Sequence, residues 1–359
     1  MNNSWKNIHS SFKLNGLQYS ATELLEFAKD LENKGSHYEI NIGKFLQQWL
    51  DENETVTVKT SGSTGKPKDI ELFKFRMVNS AKATGIFFKL GENTSALLCL
   101  PSNYIAGKMM LVRAMVLGWD LHIVAPQKDA LTQYDNDYDF VAMVPYQVEH
   151  SLNALHKVHK LIIGGGAISK ELNNKLQNVD VEAFATYGMT ETITHIAVRR
   201  INGLAESADY TALPNVKFTR DERGCLVINA QDISEETIIT NDVVNLISPT
   251  SFEWLGRIDN VINSGGIKIY PEQIEEKLSS FIEVPFIITS EKDEQLGERM
   301  ILIFENNGAH NTPNFSEAFS TLTTYERPKK IYTFSKFPFT ETGKIMRTEV
   351  IETLKSRNN

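Results

Sequence analysis

Four short apolar runs, each closed by proline or glycine, do most to limit what this chain can fold into. SALLCLP (95–101), LHIVAP (121–126), FVAMVP (140–145) and KLIIGGG (160–166) read as buried strands. Helical patterns such as MMLVRAMVLG (109–118) stand between them. Strands alternating with helices predict an α/β fold, with a parallel or mixed sheet covered on both faces. In such sheets ligands bind where strands end and loops begin.

The flanking regions differ. From about Asn2 to Asn53 the pattern is helical and amphipathic, with Leu24, Leu25, Phe27 and Leu31, then Ile42, Phe45, Leu46 and Leu50, at helical spacing. VTVKT (56–60) reads as a strand. After about Asp209, NVKFTR, GCLVINA and TIITNDVVNLI are split by turn residues, as in antiparallel strands. PEQIEEKLSSF (271–281) predicts a helix: Pro271 suits the first turn, acidic residues follow at the positive end of the dipole, and Ile274, Leu278 and Phe281 form one stripe. Two strand-like runs, VPFIITS and MILIFEN, come next. The 359 residues thus divide into a large N-terminal domain, 1–258, with mixed sheets and flanking helices, and a small α+β C-terminal domain, 259–359.

A net charge of -8 argues against a nucleic-acid partner, which would require a basic face, but leaves room for a local anion site. Cys99 and Cys225 sit among apolar neighbours and read as buried free thiols, with no disulfide framework or metal spacing. MNNSWKNIHSSFKL lacks the apolar run of a secretory signal, and no stretch approaches the ~18 apolar residues of a membrane helix. A cytoplasmic protein without membrane insertion is expected.

Directly after VTVKT comes TSGSTGKPK (60–68), which gathers Thr60, Ser61, Ser63 and Thr64 around Gly62 and Gly65, with Lys66 and Lys68 behind. Glycines let the backbone approach phosphate, hydroxyls donate hydrogen bonds and lysines supply charge. The spacing is not that of a P-loop, because two residues rather than four separate the glycines and Pro67 follows Lys66.

With five further segments in the same order, this loop resembles the adenylate-forming acyl-CoA synthetases, a family that includes luciferases and the adenylation domains of peptide synthetases. LIIGGGAIS (161–169) is similar to the glycine segment that borders adenine and the acyl group, at Gly164, Gly165 and Gly166. ATYGMTET (185–192) is similar to the segment in which an aromatic residue stacks on adenine, so Tyr187 and Gly188 would border the base, Thr190 would bind phosphate and Glu191 would hold Mg²⁺. TND (240–242) places Asp242 where the family binds ribose, although Asn241 stands where glycine is commoner. WLGRIDNVINSGGIKIYPEQIE (254–275) implies Arg257 on ribose, Asp259 as hinge and Ser264, Gly265 and Gly266 as the loop of the thiol-transfer state. TETGKIMR (340–347) aligns Lys344 with the catalytic lysine.

The resemblance implies two half-reactions. A carboxylate attacks the α-phosphate of Mg-ATP, giving acyl-adenylate and pyrophosphate; the thiol of coenzyme A then displaces AMP. A mobile C-terminal domain would turn about Asp259 between the steps, withdrawing Lys344 and bringing in residues 264–266.

Only about sixty residues stand before the phosphate loop in this sequence, against well over a hundred in typical members, so the resemblance implies that part of the usual acyl-site wall would be missing. In LPSNYIAGKMM (100–110), Asn103 and Tyr104 stand where the family often has an aromatic-histidine pair, and Tyr104 reads equally as pocket lining or core. Compact members resemble 2-succinylbenzoate–CoA ligases of menaquinone synthesis. That acid has a second carboxylate, for which Lys108 and Arg113 are candidates; the plainer reading makes each a surface charge. Another aryl or short-acyl ligase is the rival within the family. A phosphoryl-transfer NTPase and a non-catalytic nucleotide-binding module are the rivals outside it.

Overall fold

The apolar runs lie side by side in one sheet. The computed structural model describes residues 4–59, 69–306, 308, 313–339 and 345–358. In the first half of the chain the elements are β1 (Lys13–Leu14), β2 (Leu17–Gln18), α1 (Ala21–Lys34), α2 (His37–Leu50), β3 (Thr55–Lys59), β4 (Asp69–Phe73), α3 (Lys74–Phe88), β5 (Ser95–Leu98), α4 (Ile105–Leu117), β6 (Asp120–Ile123), β7 (Tyr138–Met143), α5 (Pro145–Ser151), β8 (Val158–Ile163), α6 (Lys170–Leu176) and β9 (Glu182–Gly188). Strands β1, β6, β5, β7, β8 and β9 are parallel neighbours in that order. Their side chains alternate between two cores: Ala96, Leu98, Phe140 and Ile162 point into one, Leu97, Val141, Leu161 and Ala183 into the other. A parallel strand buried on both faces accounts for the unbroken apolar runs.

Beyond β9 the sheet continues antiparallel through β10 (His195–Arg200), β11 (Tyr210–Ala212), β12 (Lys217–Arg220), β13 (Cys225–Asn229), β14 (Ile238–Ser248) and β15 (Ser251–Arg257). A second sheet holds β16 (Ile262–Ser264), β17 (Ile267–Ile269), β18 (Phe286–Asp293), β19 (Gly297–Glu305) and β20 (Lys330–Phe334). Helices α7 (Pro271–Leu278) and α8 (Phe315–Ser320) give Ile274, Leu278 and Ala318 to one face, and α9 (Arg347–Asn358) gives Val350 and Leu354 to the other. The α/β class expected from the sequence is the class observed. Cys99 and Cys225 are both buried and free. No helix among the described residues is long and apolar enough to cross a membrane.

The N-terminal fifty residues differ from the all-helical expectation. Asn15 and Gly16 both take positive φ, 51° and 78°, and turn β1 into β2 as a tight hairpin. Two positive φ values suit an Asn-Gly pair, and the Asn15 side chain also accepts the Ile123 N–H at 2.9 Å. The α-helices among the described residues of this segment are α1 and α2, packed so closely that a Cβ on Gly43 would sit 2.5 Å from the Ala28 carbonyl oxygen. Strands β3 and β4 form a separate ribbon whose last pair is Lys59 with Asp69. That pair brackets Thr60, Ser61, Gly62, Ser63, Thr64, Gly65, Lys66 and Lys68, which lie outside the described residues.

Candidate active site

Strand β8 runs out into Gly164, Gly165 and Gly166, beside the end of β9. A Cβ on Gly164 would lie 2.4 Å from Thr186 Oγ1, so only glycine lets the segment reach β9. Gly165 has φ +79°, the left-handed region open to glycine. These loops leave the carboxyl ends of parallel strands, where α/β sheets form their ligand crevices.

One residue beyond Thr186, the Tyr187 hydroxyl donates to Asp242 Oδ2 at 2.7 Å, joining β9 to β14. Trp254 Nε1 donates to Asp242 Oδ1 at 3.1 Å, and Arg257, paired with Asp242 in the β14–β15 register, lies 3.8 Å from the same oxygen. Burial and the adjacent carboxylate push the Tyr187 phenol far up, so it stays a donor. An ionised carboxylate offers about four acceptor sites, which leaves Asp242 capacity for ligand hydroxyls. Trp254 had no functional signal in the sequence beyond its place ahead of Leu255 and Gly256.

After Gly188 the chain turns tightly. Thr190–Thr192 is one turn of 3-10 helix in which Glu191 is exposed and Thr192 is buried. Thr192 Oγ1 accepts the Met189 N–H at 2.9 Å and lies 2.7 Å from the Thr194 carbonyl oxygen. Ile193 follows with φ 66° and ψ -59°, and Thr194 N–H closes onto the Thr192 carbonyl at 2.7 Å. This is the rarer γ-turn form, strained for a β-branched residue by roughly 1–3 kcal/mol. Gly188 permits it, since a Cβ there would lie 2.3 Å from the Thr194 carbonyl oxygen.

The strained turn faces α4, where Arg113 is 1 % exposed. Its Nε donates to Thr84 Oγ1 at 3.3 Å, and its Nη2 reaches Thr194 Oγ1 and His195 Nδ1, each at 3.4 Å. No carboxylate pairs with it among the described residues, and burial lowers its pKa to about 9. Lys108, 8 % exposed, holds Nζ 4.8 Å over the Phe45 ring, and burial lowers its pKa to about 8.

The surface-charge reading of Lys108 and Arg113 is therefore wrong. Helix α4 is apolar on every side and packs between the sheet and the helices before it, so even its cations are enclosed. The two also part company: five positions at 3.6 residues per turn place them about 140° apart. Lys108 faces α2, and Arg113 faces the Thr190–His195 stretch. Tyr104, 38 % exposed at the N-cap of α4, is not a core residue. Thr84, Thr194 and His195 were not legible as site residues, because Thr84 and Arg113 are distant from His195 in sequence.

In the C-terminal part, Asp259 accepts from Arg257 Nη2 at 3.0 Å and from Asn241 Nδ2 at 3.4 Å. Ser264 ends β16, and Gly265 and Gly266 turn into β17 with φ 58° and 83°. Lys344 lies outside the described residues. Phe339 and Ile345 form an isolated antiparallel bridge, and Met346 N–H donates to the Pro338 carbonyl at 3.0 Å. Arg347 then pairs with Glu275 and donates to the Ile288 carbonyl at 3.0 Å.

Among the described residues no group of three or more His, Cys, Asp or Glu is arranged to hold a metal ion. Mg²⁺ commonly takes one or two carboxylates plus substrate phosphates, and the exposed Glu191 fits a single-carboxylate contact of that kind.

The AMP-binding enzyme family matches residues 12–220. An acyl-CoA synthetase (AMP-forming)/AMP-acid ligase II-like protein from Dyadobacter fermentans is 35 % identical in sequence, with 94 % of this chain and 99 % of that one covered and a TM-score of 0.63. The 2-succinylbenzoate–CoA ligase of Staphylococcus epidermidis is 25 % identical over 322 residues, 81 % of this chain and 68 % of the relative. The o-succinylbenzoate CoA synthetase of Bacillus subtilis, in complex with its acyl-adenylate intermediate, shares the fold at 16 % identity and a TM-score of 0.75, with 95 % of each chain covered.

Proposed function

This chain belongs to the AMP-binding enzyme family, and from that membership we infer that it is an AMP-forming acid–CoA ligase acting on an aromatic acid with a second carboxylate, of which 2-succinylbenzoate is our choice. The substrates are then ATP, the acid and coenzyme A, with Mg²⁺ as cofactor, and menaquinone synthesis in the cytoplasm is the setting. The observation that carries the choice of acid is Arg113: a fully buried guanidinium, without a carboxylate partner among the described residues, beside the turn that follows Tyr187 and Gly188. Leaving a cation so enclosed is costly unless an anion arrives to share the site. A carboxylate on the far end of the acid supplies that anion.

In this reading Tyr187, Gly188 and Gly164–Gly166 border the adenine, and Asp242 and Arg257 take the ribose. The hydroxyls and lysines of residues 60–68 hold the triphosphate, and Thr190 binds a phosphate oxygen. Mg²⁺ at Glu191 supplies charge neutralisation on the phosphates. Lys344 stabilises charge on the α-phosphate and bridging oxygen during adenylation. Residues 259–359 turn about Asp259 so that Ser264, Gly265 and Gly266 serve the thiol step. Tyr104 lines the mouth of the acid site, and Lys108 lies away from the second carboxylate.

A screen of carboxylic acids for acid-dependent pyrophosphate release, with mass detection of the CoA product, tests the reading. 2-Succinylbenzoate is expected to exceed benzoate and fatty acids. A clear win for either of those replaces the chosen acid, and ADP in place of AMP overturns the reaction class.

A further inference from the structure

Buried guanidinium groups are usually held by carboxylates, which orient them and cancel their charge. Arg113 is oriented without being cancelled. Its neighbours are neutral: Thr84 Oγ1, Met110 Sδ at 3.7 Å, Thr194 Oγ1 and His195 Nδ1. A guanidinium only donates, so His195 Nδ1 acts as the acceptor and the ring proton sits on Nε2. From there it faces Thr84 Oγ1 at 3.4 Å, whose own hydroxyl donates to the Ser80 carbonyl at 3.1 Å. The three side chains therefore close a ring: Arg113 donates to Thr84 and His195, and His195 donates to Thr84. Phe88 holds the imidazole edge-on, with centroids 6.4 Å apart. Burial and the Arg113 charge both keep His195 neutral. The strained turn at Ile193 delivers Thr194 and His195 together to one nitrogen of the fork.

We propose that His195 is a positioning residue that sets acid specificity: it fixes the Arg113 fork as a neutral acceptor, so that the full positive charge stays available to the second carboxylate of the acid. The inference rests on the reading of Arg113 given above and adds the means by which its charge is preserved. The contacts of Arg113 with oxygen and nitrogen, 3.3–3.4 Å, are long for hydrogen bonds from a cation, as expected of a group whose main partner comes from outside.

The test compares the full chain with His195→Asp and His195→Asn, measuring AMP formation with 2-succinylbenzoate and with benzoate. Asparagine keeps a neutral acceptor, and aspartate adds the missing anion. His195→Asp is expected to raise KM for 2-succinylbenzoate about 10- to 100-fold, the weight of a charged hydrogen bond. Its kcat and its KM for benzoate should hold within about threefold, and His195→Asn within about fivefold on both acids. Equal KM increases in the two variants, equal effects on the two acids, or no effect of His195→Asp overturn the proposal. If His195→Asp does not fold, Thr194→Asp brings a carboxylate to the same Nη2 from a half-buried position and answers to the same outcomes. A parent protein that does not favour 2-succinylbenzoate over benzoate defeats the Arg113 reading, and this inference with it. A parent that does, with variants that fail to separate, defeats this inference alone.

Discussion

Arg113 and Arg347 are drawn into different parts of the protein and treated in opposite ways. Arg347 meets a carboxylate, Glu275, and the Ile288 carbonyl, which also lies on the strand whose N–H caps Glu275. Its charge is used up in joining α9 to α7 and β18. Arg113 is more deeply enclosed and, among the described residues, meets neutral atoms only. The difference separates a cation that stabilises the fold from one held in readiness at the fold's expense. Burial alone does not tell them apart; the charge of the neighbours does.

The largest effect is expected at a third cation, Lys344, three positions before Arg347. Lys344→Ala should slow adenylation about 10²- to 10³-fold and spare thioester formation from supplied adenylate. Equal loss in both half-reactions would break the division between a structural arginine and the catalytic lysine we propose. Next come the two arginines themselves. At pH 8, where Glu275 is ionised, Arg347→Met leaves that carboxylate unpaired and should cost about 3 kcal/mol in denaturant unfolding. Arg113→Met should instead raise stability by about 1 kcal/mol while lowering kcat/KM for the dicarboxylic acid about 10- to 100-fold. A loss of stability in Arg113→Met would sink the contrast.

The smallest effect sharpens it by pH. Burial outweighs Arg347 and raises the Glu275 pKa from 4.5 to about 7. A raised carboxylate favours the folded state while protonated, so its contribution is whole below pH 4.5 and is lost as pH climbs through about 7. The parent should therefore lose roughly 1–3 kcal/mol between pH 5 and 8 that Glu275→Gln does not. Thermal melts at four or five pH values would check this, and parallel curves would refute it.

The runs ending at Pro101, Pro126, Pro145 and Gly164 were legible as buried strands because apolar length and closing residues are local properties. Asn15-Gly16 was equally local, yet the helical spacing after Leu24 drew the whole segment into one reading. The site is less evenly legible. Tyr187 and Asp242 stood out within their motifs, but the hydrogen bond between them spans 55 positions and only β9 and β14 in place create it. Glu275 and Arg347, 72 positions apart, are joined in the same way.

By itself, then, the sequence determined the α/β class, the four buried strand runs between 95 and 166 and the helices at 109–118 and 271–281, since propensity and periodicity act over a few residues. Tertiary structure decided that Lys108 and Arg113 are enclosed, that they face different sides, and that His195 meets Arg113 across 82 positions. Enclosure and pairing depend on which surfaces pack against a side chain, and a charged residue on a helix carries no local mark of what will cover it.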